Sequence, residues 1–366
     1  MKLQNFIKEI VIISIVLISQ GSVGQVPYER ILNASDEPQN WLTYNGGYMS
    51  QRYSLLDQIN RENVNQLELK WVLQNQVFGA WQSNPIIVDG VMYVTERPNS
   101  VMAVDAVTGR VYWKYRHQNA DNALVCCGAN NRGVAVLNDK VYMGTLDAHL
   151  VALDRVNGQL LWEAEVGDVN LAYSVTMAPL AVKDKILVGV GGGEFGIRGY
   201  VAAFNAETGE QAWKTYTIPG PGEANHDSWE GDDWEHGGAP VWITGSFDSD
   251  LNLTYWGVGN PGPDWNAGQR PGDNLYSDSA IALDADTGEL KWYFQFTPND
   301  AYDYDSVQVP VLADMEWRGE AKKVMMWANR NGYFYVLDRT NGQFLEGKPY
   351  VKVNWSSGLD ENGRPI

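Results

Sequence analysis

Cysteine and histidine are scarce in this sequence. Only two cysteines and four histidines occur among its 366 residues, and the cysteines are neighbours, Cys126 and Cys127. This scarcity excludes a framework of several disulfides and a cysteine-rich zinc fold. The haem-attachment motif CxxCH is absent as well. His226 and His236 lie near acidic residues, but their spacing matches no standard zinc-binding pattern.

Basic residues and long apolar runs are also few. The chain has 27 lysines and arginines against 45 acidic residues, a net charge of −18, which lacks the basic footprint that nucleic-acid binding requires. The apolar run at residues 10–18 is too short to span a bilayer. With Lys2 and Lys8 before it and small residues after it, the run predicts a signal peptide over residues 1–24. Glu9 fits this interpretation less well, and a retained amino-terminal anchor is the alternative.

The adjacent cysteines admit two interpretations. Neighbouring Cα atoms lie about 3.8 Å apart across a trans peptide, whereas ordinary disulfides span roughly 4.4–6.8 Å between those atoms. Cys126 and Cys127 are therefore either two buried free thiols or partners in a small strained ring. Strain of that kind tends to mark functional sites, and export to an oxidising compartment would permit the bond.

A repeated pattern runs through the chain. An Asp or Asn is followed by Thr-Gly or Asn-Gly and then, in four copies, by a tryptophan at a fixed distance. The five copies begin at Asp105, Asp154, Asn205, Asp284 and Asp338. A period near 50 residues is typical of stacked or radial arrays, and short strands around such turns predict the blades of a propeller. Five copies in register favour this fold over a β-sandwich with chance turns.

One step of the repeat is longer than the others. The extra residues lie between positions 214 and 281, where aspartate, tryptophan and glycine are frequent. Insertions into arrays usually lie on one face, which is often the binding face. We therefore expect this insertion to contribute to a functional site.

Six motifs resemble, in order, those of the pyrroloquinoline-quinone (PQQ) dependent alcohol dehydrogenases, the methanol/ethanol family of quinoproteins. They are VCCGANNRGVAV, SVTMAPL, GGGEFGIRGY, GVGNPGPDWN, NDAYDYDS and ANRNGYFYVLDRTNG. The resemblance extends from Trp41 to Ile366 and implies an all-β, eight-bladed β-propeller with tryptophan-docking motifs. Residues 25–366 would form only about five of the blades, because the sequence stops within a family motif. The closing blades would then be missing from this chain.

The same resemblance implies a PQQ cofactor and the residues that bind it. In the family, vicinal cysteines form a disulfide ring over one face of PQQ, and a tryptophan stacks on the other face. The cysteines correspond to Cys126 and Cys127, and the tryptophan corresponds to Trp242. The other cofactor-binding positions carried over from the family motifs are Arg132, Thr176, Gly192, Gly193 and Arg330. Two positions depart from the family pattern, since Gln82 replaces an acidic residue and Gly191 replaces a serine.

A metal ion beside the cofactor is implied as well. Its ligands correspond to Glu194, Asn260 and Asp303, hard oxygen donors suited to calcium or a heavier hard cation. Asp303 also corresponds to the catalytic base that takes the hydroxyl proton of the alcohol, and Arg330 to a catalytic residue near the reactive quinone oxygens. Asp305 resembles a fourth ligand found in lanthanide-dependent members, where an extra carboxylate balances a trivalent ion. The alternative is that Asp305 only caps a turn and that the ion is Ca²⁺.

The resemblance therefore predicts an enzyme. It would be a periplasmic quinoprotein that oxidises small primary alcohols to aldehydes with PQQ and one lanthanide ion or Ca²⁺, passing electrons to a soluble c-type cytochrome. A homodimer is a further expectation. One alternative is a sugar or polyol quinoprotein dehydrogenase, which the adjacent cysteines and the AYDYDS motif disfavour. The other is a non-catalytic propeller scaffold of outer-membrane assembly, which would need neither the cysteine pair nor the metal-binding acids.

Overall fold

The computed structural model describes residues 24–366. Within them the chain forms five sheets of four strands each. The predicted signal peptide lies outside the described residues except for its last residue, Gly24. The predicted all-β propeller fold, with about five blades in this chain, is confirmed by this architecture.

The twenty strands follow one another along the chain. The first sheet contains β1 (Ile86–Val88), β2 (Val91–Glu96), β3 (Ser100–Asp105) and β4 (Val111–Arg116). The second contains β5 (Ala135–Leu137), β6 (Lys140–Gly144), β7 (His149–Asp154) and β8 (Leu160–Glu165). The third contains β9 (Leu180–Val182), β10 (Lys185–Gly189), β11 (Tyr200–Asn205) and β12 (Gln211–Tyr216). The fourth contains β13 (Ser246–Asp248), β14 (Leu253–Gly257), β15 (Ser279–Asp284) and β16 (Leu290–Gln295). The fifth contains β17 (Val311–Trp317), β18 (Glu320–Ala328), β19 (Tyr333–Asp338) and β20 (Phe344–Pro349).

Helical structure is confined to short segments in the described residues. The single α-helix, α1, spans Tyr28–Leu32. The 3₁₀ turns span Ala34–Asp36, Val64–Gln66, Val169–Leu171, Gly193–Phe195, His226–Ser228, Asp233–Glu235 and Ala267–Gln269. Between residues 24 and 366, no helix has the length and apolar character needed to cross a bilayer.

Burial changes from the inner to the outer strand of a sheet. In the second sheet every residue of β5 and β6 is buried, because both faces pack against neighbouring sheets. The outer strand β8 instead alternates half-buried Trp162 and Ala164 with exposed residues. Continuous apolar runs in inner strands and alternation in outer strands are what a radial arrangement of sheets requires.

Strand direction determines where the loops emerge. The strands of each sheet pair antiparallel in sequence order, so loops after the first and third strands leave at one end and the remaining loops at the other. We call the first end the turn face, because it carries the five repeated turns, and the second the site face. Every residue predicted to bind cofactor or metal lies in a loop of the site face. The insertion at 214–281 also supplies two site-face loops, as expected.

The repeated turn is built by its aspartate and glycine. In the first copy, Oδ1 of Asp105 accepts hydrogen bonds from the backbone N–H groups of Val107 at 2.9 Å and Thr108 at 2.8 Å. The N–H of Gly109 donates to the carbonyl of Asp105 at 2.9 Å. Gly109 has φ +74°, a left-handed conformation that glycine adopts without steric cost. These contacts explain why the pattern recurs with fixed spacing.

Each tryptophan of the repeat packs on the turn of the following sheet. The ring of Trp113 covers Gly158, where a Cβ would lie 2.5 Å from Cε3, and its Nε1 donates to the carbonyl of Arg155 at 3.1 Å. Equivalent docking joins Trp162 to Gly209, Trp213 to Gly288 and Trp292 to Gly342. The tryptophan-docking prediction is therefore confirmed for these four seams.

A further docked tryptophan precedes the first sheet. Trp71 covers Gly109, and its Nε1 donates to the carbonyl of Ala106 at 3.2 Å. The repeat did not predict this contact, because the segment around Trp71 lacks a turn of its own and only the partner turn carries the pattern. The amino-terminal segment is thus attached to the first sheet in the way that successive sheets are attached to each other.

Candidate functional site

Loops from all five sheets surround a cavity of about 260 Å³ at the site face. The predicted residues that line it are Cys126, Cys127, Arg132, Thr176, Gly192, Glu194, Trp242, Asp303, Asp305 and Arg330. Gln82 and Gly191, the two departures from the family pattern, line it as well. A larger cavity of about 400 Å³ lies beside residues 32–55 and contains none of the predicted residues.

The adjacent cysteines form part of the cavity wall. Cys126 and Cys127 are joined by a disulfide, and Cys127 has φ +63°. Their sulfur atoms and a carboxylate oxygen of Glu194 lie within 4.8 Å of one another. Of the two interpretations that the sequence left open, the disulfide is therefore the correct one, and neither cysteine is a free thiol.

Arg132 and Trp242 form another part of the wall. The guanidinium carbon of Arg132 lies 4.7 Å from the centroid of the Trp242 ring, and its Nη1 donates to the carbonyl of Thr176 at 3.2 Å. Arg132 is buried, and this burial lowers the pKa of its guanidinium. A desolvated guanidinium beside a cavity favours an anionic group such as a carboxylate there.

Asp305 is held by groups on several sides. Its Oδ1 accepts hydrogen bonds from Nε1 of Trp242 at 3.1 Å and from the backbone N–H of Asn260 at 3.2 Å. Its Oδ2 accepts from Nη1 of Arg330 at 3.1 Å. A Cβ on Gly259 would lie 2.5 Å from Oδ1, so the absence of a side chain there makes room for this carboxylate. These contacts exceed what a turn-capping aspartate requires.

Asp303 lies in a loop whose backbone is fixed by a second carboxylate. The buried Asp300 accepts hydrogen bonds from the N–H of Tyr302 at 2.9 Å and of Tyr304 at 2.8 Å, on either side of Asp303. Asp303 and Asp305 have φ values of +60° and +48°, a region that aspartate tolerates better than most residues. The loop thus presents Asp303 to the cavity from a constrained backbone.

Negative charge accumulates on this side of the cavity. Burial, followed by the charge of Asp305, raises the pKa of Asp303 to about 6. Burial also raises the pKa of Asp305 to about 6. Burial, with the charges of Asp264 and Asp303, raises the pKa of Glu194. Carboxylates that repel one another and have lost solvation are stabilised by a cation placed among them.

Two predicted residues lie behind the cavity wall. The amide nitrogen of buried Asn260 donates to Asp264 at 2.8 Å, which leaves the amide oxygen as the free end of the side chain. Gly193 is also buried. A Cβ there would lie 3.0 Å from two ring carbons of Pro240, so alanine would press against the wall beside Trp242.

The sequence did not identify the acids that support the Asp303–Asp305 loop. Asp278 is fully buried, and its Oδ1 accepts hydrogen bonds from the N–H and the hydroxyl of Ser306, both at 3.2 Å. Burial raises the pKa of Asp278 well above its ordinary value. Asp278 lies outside the six motifs, and Asp300 lies within NDAYDYDS but has no role assigned there, so only the folded structure reveals what they do.

A family model described as "PQQ: Glucose/ethanol/alcohol dehydrogenase, beta-propeller domain" matches residues 41–356. The chain belongs to this family. The quinoprotein alcohol dehydrogenase PedH of Pseudomonas putida is 42% identical to it over 378 residues, covering 97% of this chain and 63% of PedH. The family prediction made from the six motifs is thereby confirmed.

Solved structures of related dehydrogenases superimpose closely. The quinohemoprotein alcohol dehydrogenase ADHIIG of Pseudomonas putida HK5 has a TM-score of 0.90 at 42% identity, covering 94% of this chain and 53% of that one. A europium-containing methanol dehydrogenase has a TM-score of 0.88 at 38% identity, covering 92% of this chain and 63% of that one. The chain therefore spans between about half and two thirds of the length of these relatives.

The cavity fits the cofactor and the metal that this PQQ-dependent family implies. A planar, polyanionic quinone needs flat walls and cationic partners, and the disulfide, Trp242 and Arg132 supply them. The carboxylates around Asp303 repel one another and would be stabilised by a cation. Gly259, which has no side chain, leaves room for the carboxylate of Asp305 as one more oxygen donor beside the cavity.

Proposed function

We propose that the complete protein is a PQQ-dependent dehydrogenase that oxidises small primary alcohols to aldehydes. The observation that carries this proposal is the convergence, on one cavity, of a vicinal disulfide, Trp242, Arg132 and a group of acids with raised pKa values. The disulfide and Arg132 share the loop between β4 and β5, whereas Trp242 and the acids belong to other site-face loops, and only the fold brings them together. A scaffold protein would have no use for this combination.

The residues of the cavity divide the work. When bound, PQQ supplies the redox chemistry by accepting hydride from the alcohol carbon. Asp303 accepts the hydroxyl proton, a role suited to a carboxylate that lines the cavity and is kept ionised by a neighbouring cation. Arg132 binds an acidic edge of the quinone, and the disulfide and Trp242 exclude water from its faces. Arg330 adds positive charge beside Asp305.

We also propose that the preferred metal is a lanthanide ion, with Ca²⁺ as the alternative. Glu194, Asn260 and Asp303 would supply oxygen ligands, and Asp305 would add a further carboxylate. A trivalent ion is favoured over a divalent one when an additional negative charge is fixed at the site. The three anchors on Asp305 support this role, because they hold its carboxylate beside the cavity at the cost of desolvation.

The proposal extends to the location and the electron acceptor. Residues 1–24 would direct export, which places the enzyme in the periplasm. A soluble c-type cytochrome with a basic surface would suit a chain of net charge −18. The rate of electron transfer to such a partner should fall as ionic strength rises.

Reconstitution tests the function. The full-length gene product, stripped of cofactor and metal, would be given PQQ with La³⁺ or with Ca²⁺, and dye reduction would be followed with ethanol, methanol and glucose. Quenching of tryptophan fluorescence would report PQQ binding independently of turnover. We expect turnover with the alcohols, faster with La³⁺ than with Ca²⁺, and none without PQQ. Faster turnover with glucose would support the sugar dehydrogenase alternative, and PQQ binding without any turnover would contradict the proposal.

A further inference from the structure

A cluster of histidines and acids lies on the site face, outside the residues that line the cofactor cavity. It joins two sheets, because His117 follows β4 whereas His149 and Glu163 belong to β7 and β8. One ring nitrogen from each histidine and one carboxylate oxygen of Glu163 lie within 4.8 Å of one another. His117 is buried, His149 is half-buried and Glu163 is exposed, so the group is accessible from solvent on one side.

Asp147 fixes the buried end of this cluster. Its carboxylate oxygens lie 3.0 and 3.1 Å from Nε2 of His117. It also accepts hydrogen bonds from the hydroxyl of Thr145 at 2.6 Å and the N–H of Ala120 at 3.0 Å. A carboxylate that orients a histidine through one ring nitrogen is a common arrangement behind metal-binding histidines.

The acids of the cluster are paired with histidines alone. Within residues 24–366, neither Asp147 nor Glu163 forms an ion pair with a lysine or an arginine, and the two histidines are their only ion-pair partners. Nδ1 of His149 is buried without a hydrogen-bond partner in the described part of the chain, and it lies 3.7 Å from Oδ1 of Asp147. Two carboxylates, two imidazoles and an unpartnered ring nitrogen favour an added cation.

We propose that His117, His149 and Glu163 bind a divalent transition-metal ion of the zinc class, with Asp147 as the residue that orients His117. Imidazole nitrogen together with a carboxylate oxygen is a donor set that zinc accepts and that calcium and lanthanide ions disfavour. The site is therefore chemically distinct from the group of acids around Asp303, which offers only oxygen donors. It is open on the side of Glu163, where water would complete the coordination.

Such an ion would link the loop at 117–134 to the second sheet. This loop also carries Cys126, Cys127 and Arg132, so the ion would anchor one end of a segment that lines the cofactor cavity. Because the ligands come from different sheets, binding energy contributes to the stability of the folded state. The proposed role is a structural link between two blades.

Zinc titration of the full-length protein tests the proposal. The cofactor cavity is first loaded with PQQ and La³⁺, and saturable binding of Zn²⁺ is then measured by calorimetry, with Co²⁺ as a visible probe of nitrogen ligation. The variants are His149→Ala and Glu163→Gln, since both side chains are partly exposed and their loss should permit folding. His236→Ala is the matched control, because in the described part of the chain its side chain makes a single hydrogen bond, between Nδ1 and the carbonyl of Gly196 at 3.0 Å.

We expect one Zn²⁺ per chain in the wild type and in His236→Ala, with a higher melting temperature on binding. His149→Ala should weaken binding by about 100-fold and remove the Co²⁺ absorption, since loss of even an orienting contact costs about 10–100-fold. Equal zinc affinity in the wild type and in His149→Ala would overturn the proposal. So would a wild type without saturable binding, which would leave the cluster as a histidine–carboxylate ion pair.

Discussion

The two faces of the propeller use aspartate in opposite ways. On the turn face, Asp105 accepts hydrogen bonds from the hydroxyl of Tyr112 and from the backbone N–H groups of Thr108 and Val107, and these lower its pKa to about 2. On the site face, burial and neighbouring charge raise the pKa of Asp303 to about 6. The same strands connect the two faces. The two loops differ in what they offer the carboxylate. The turn-face loop supplies hydrogen-bond donors, whereas the site-face loop removes water without supplying donors in its place.

This difference separates stability from function. A carboxylate with several donors is stabilised in its charged form and favours the folded turn. A desolvated carboxylate beside other acids is held at a cost in stability, which is the common price of a binding or catalytic site. Asp284 on the turn face and Asp303 on the site face therefore make a matched pair for mutation.

The largest expected effect is on turnover. Asp303→Asn in the reconstituted enzyme should lower kcat by about 10²–10⁴-fold, because it removes the proton acceptor while keeping the shape of the side chain. Asp284→Asn, on the turn face, should leave kcat within about twofold and lower stability slightly. Steady-state kinetics of both variants with ethanol make the comparison. Similar kcat values for the two variants would remove the functional distinction between the faces.

The next effect concerns the metal. Asp305→Asn should weaken La³⁺ binding by about 10–100-fold, and Ca²⁺ binding by less, because the lost charge interacts more strongly with a trivalent ion. Competition titrations of the cofactor-loaded protein would give both affinities. Asp284→Asn again serves as the control with unchanged affinities. An equal loss for both ions would indicate that Asp305 does not select for charge.

A smaller effect sharpens the description of the turn face. Gly158 and Gly90 have nearly equal φ values, +74° and +76°. A Cβ on Gly158 would meet the ring of Trp113 at 2.5 Å, whereas a Cβ on Gly90 has open space. Gly90→Ala should cost about 1 kcal/mol for the backbone conformation alone, and Gly158→Ala about 3 kcal/mol because the ring must also move. Urea unfolding measures the difference, and equal costs would mean that the docked ring adapts freely.

The smallest expected effect is the pH dependence of the protein without metal. Asp303 and Asp305 have folded-state pKa values of about 6, above the ordinary value of about 4 for the unfolded chain. Between these values the folded protein binds more protons, so their contribution to stability falls as pH rises from about 4 to about 6. The melting temperature of metal-free protein should therefore be lower at pH 7 than at pH 5, and La³⁺ should remove this decrease. A flatter profile is expected for Asp305→Asn.

Most of the fold could be predicted from the sequence because its signals are local. The turn of Asp105 and Gly109 is closed by hydrogen bonds within five residues, and its spacing repeats along the chain. Trp71 escaped prediction because the segment around it lacks the turn that precedes the other docked tryptophans. The repeated pattern thus predicts a turn and its docked tryptophan, whereas a docked tryptophan outside the pattern is revealed only by the folded structure.

The site was predictable only in part, and for a related reason. The residues around Cys126 and Asp303 lie in motifs that resemble a known family, so they could be assigned before the structure. His117 follows the first sheet and His149 begins β7 of the second, and neither lies in a motif, so their proximity depends on the packing of adjacent blades. The buried support from Asp278 likewise results from the tertiary fold. The spacing of His226 and His236 matches no zinc pattern, and in the structure Nδ1 of His226 contacts the carbonyl of Pro219 and Nδ1 of His236 that of Gly196.

The docked tryptophans also determine how the molecule unfolds locally. Each ring joins only neighbouring sheets, so the array behaves as a row of units coupled to nearest neighbours, and a seam opened by mutation should increase amide hydrogen exchange mainly in the two flanking units. The cofactor cavity is different, because its wall is assembled from the loops of all five sheets. Opening of any one seam would therefore disturb the backbone only locally, but it would still alter the wall of the cavity. Ligand affinity should consequently report the integrity of the whole row.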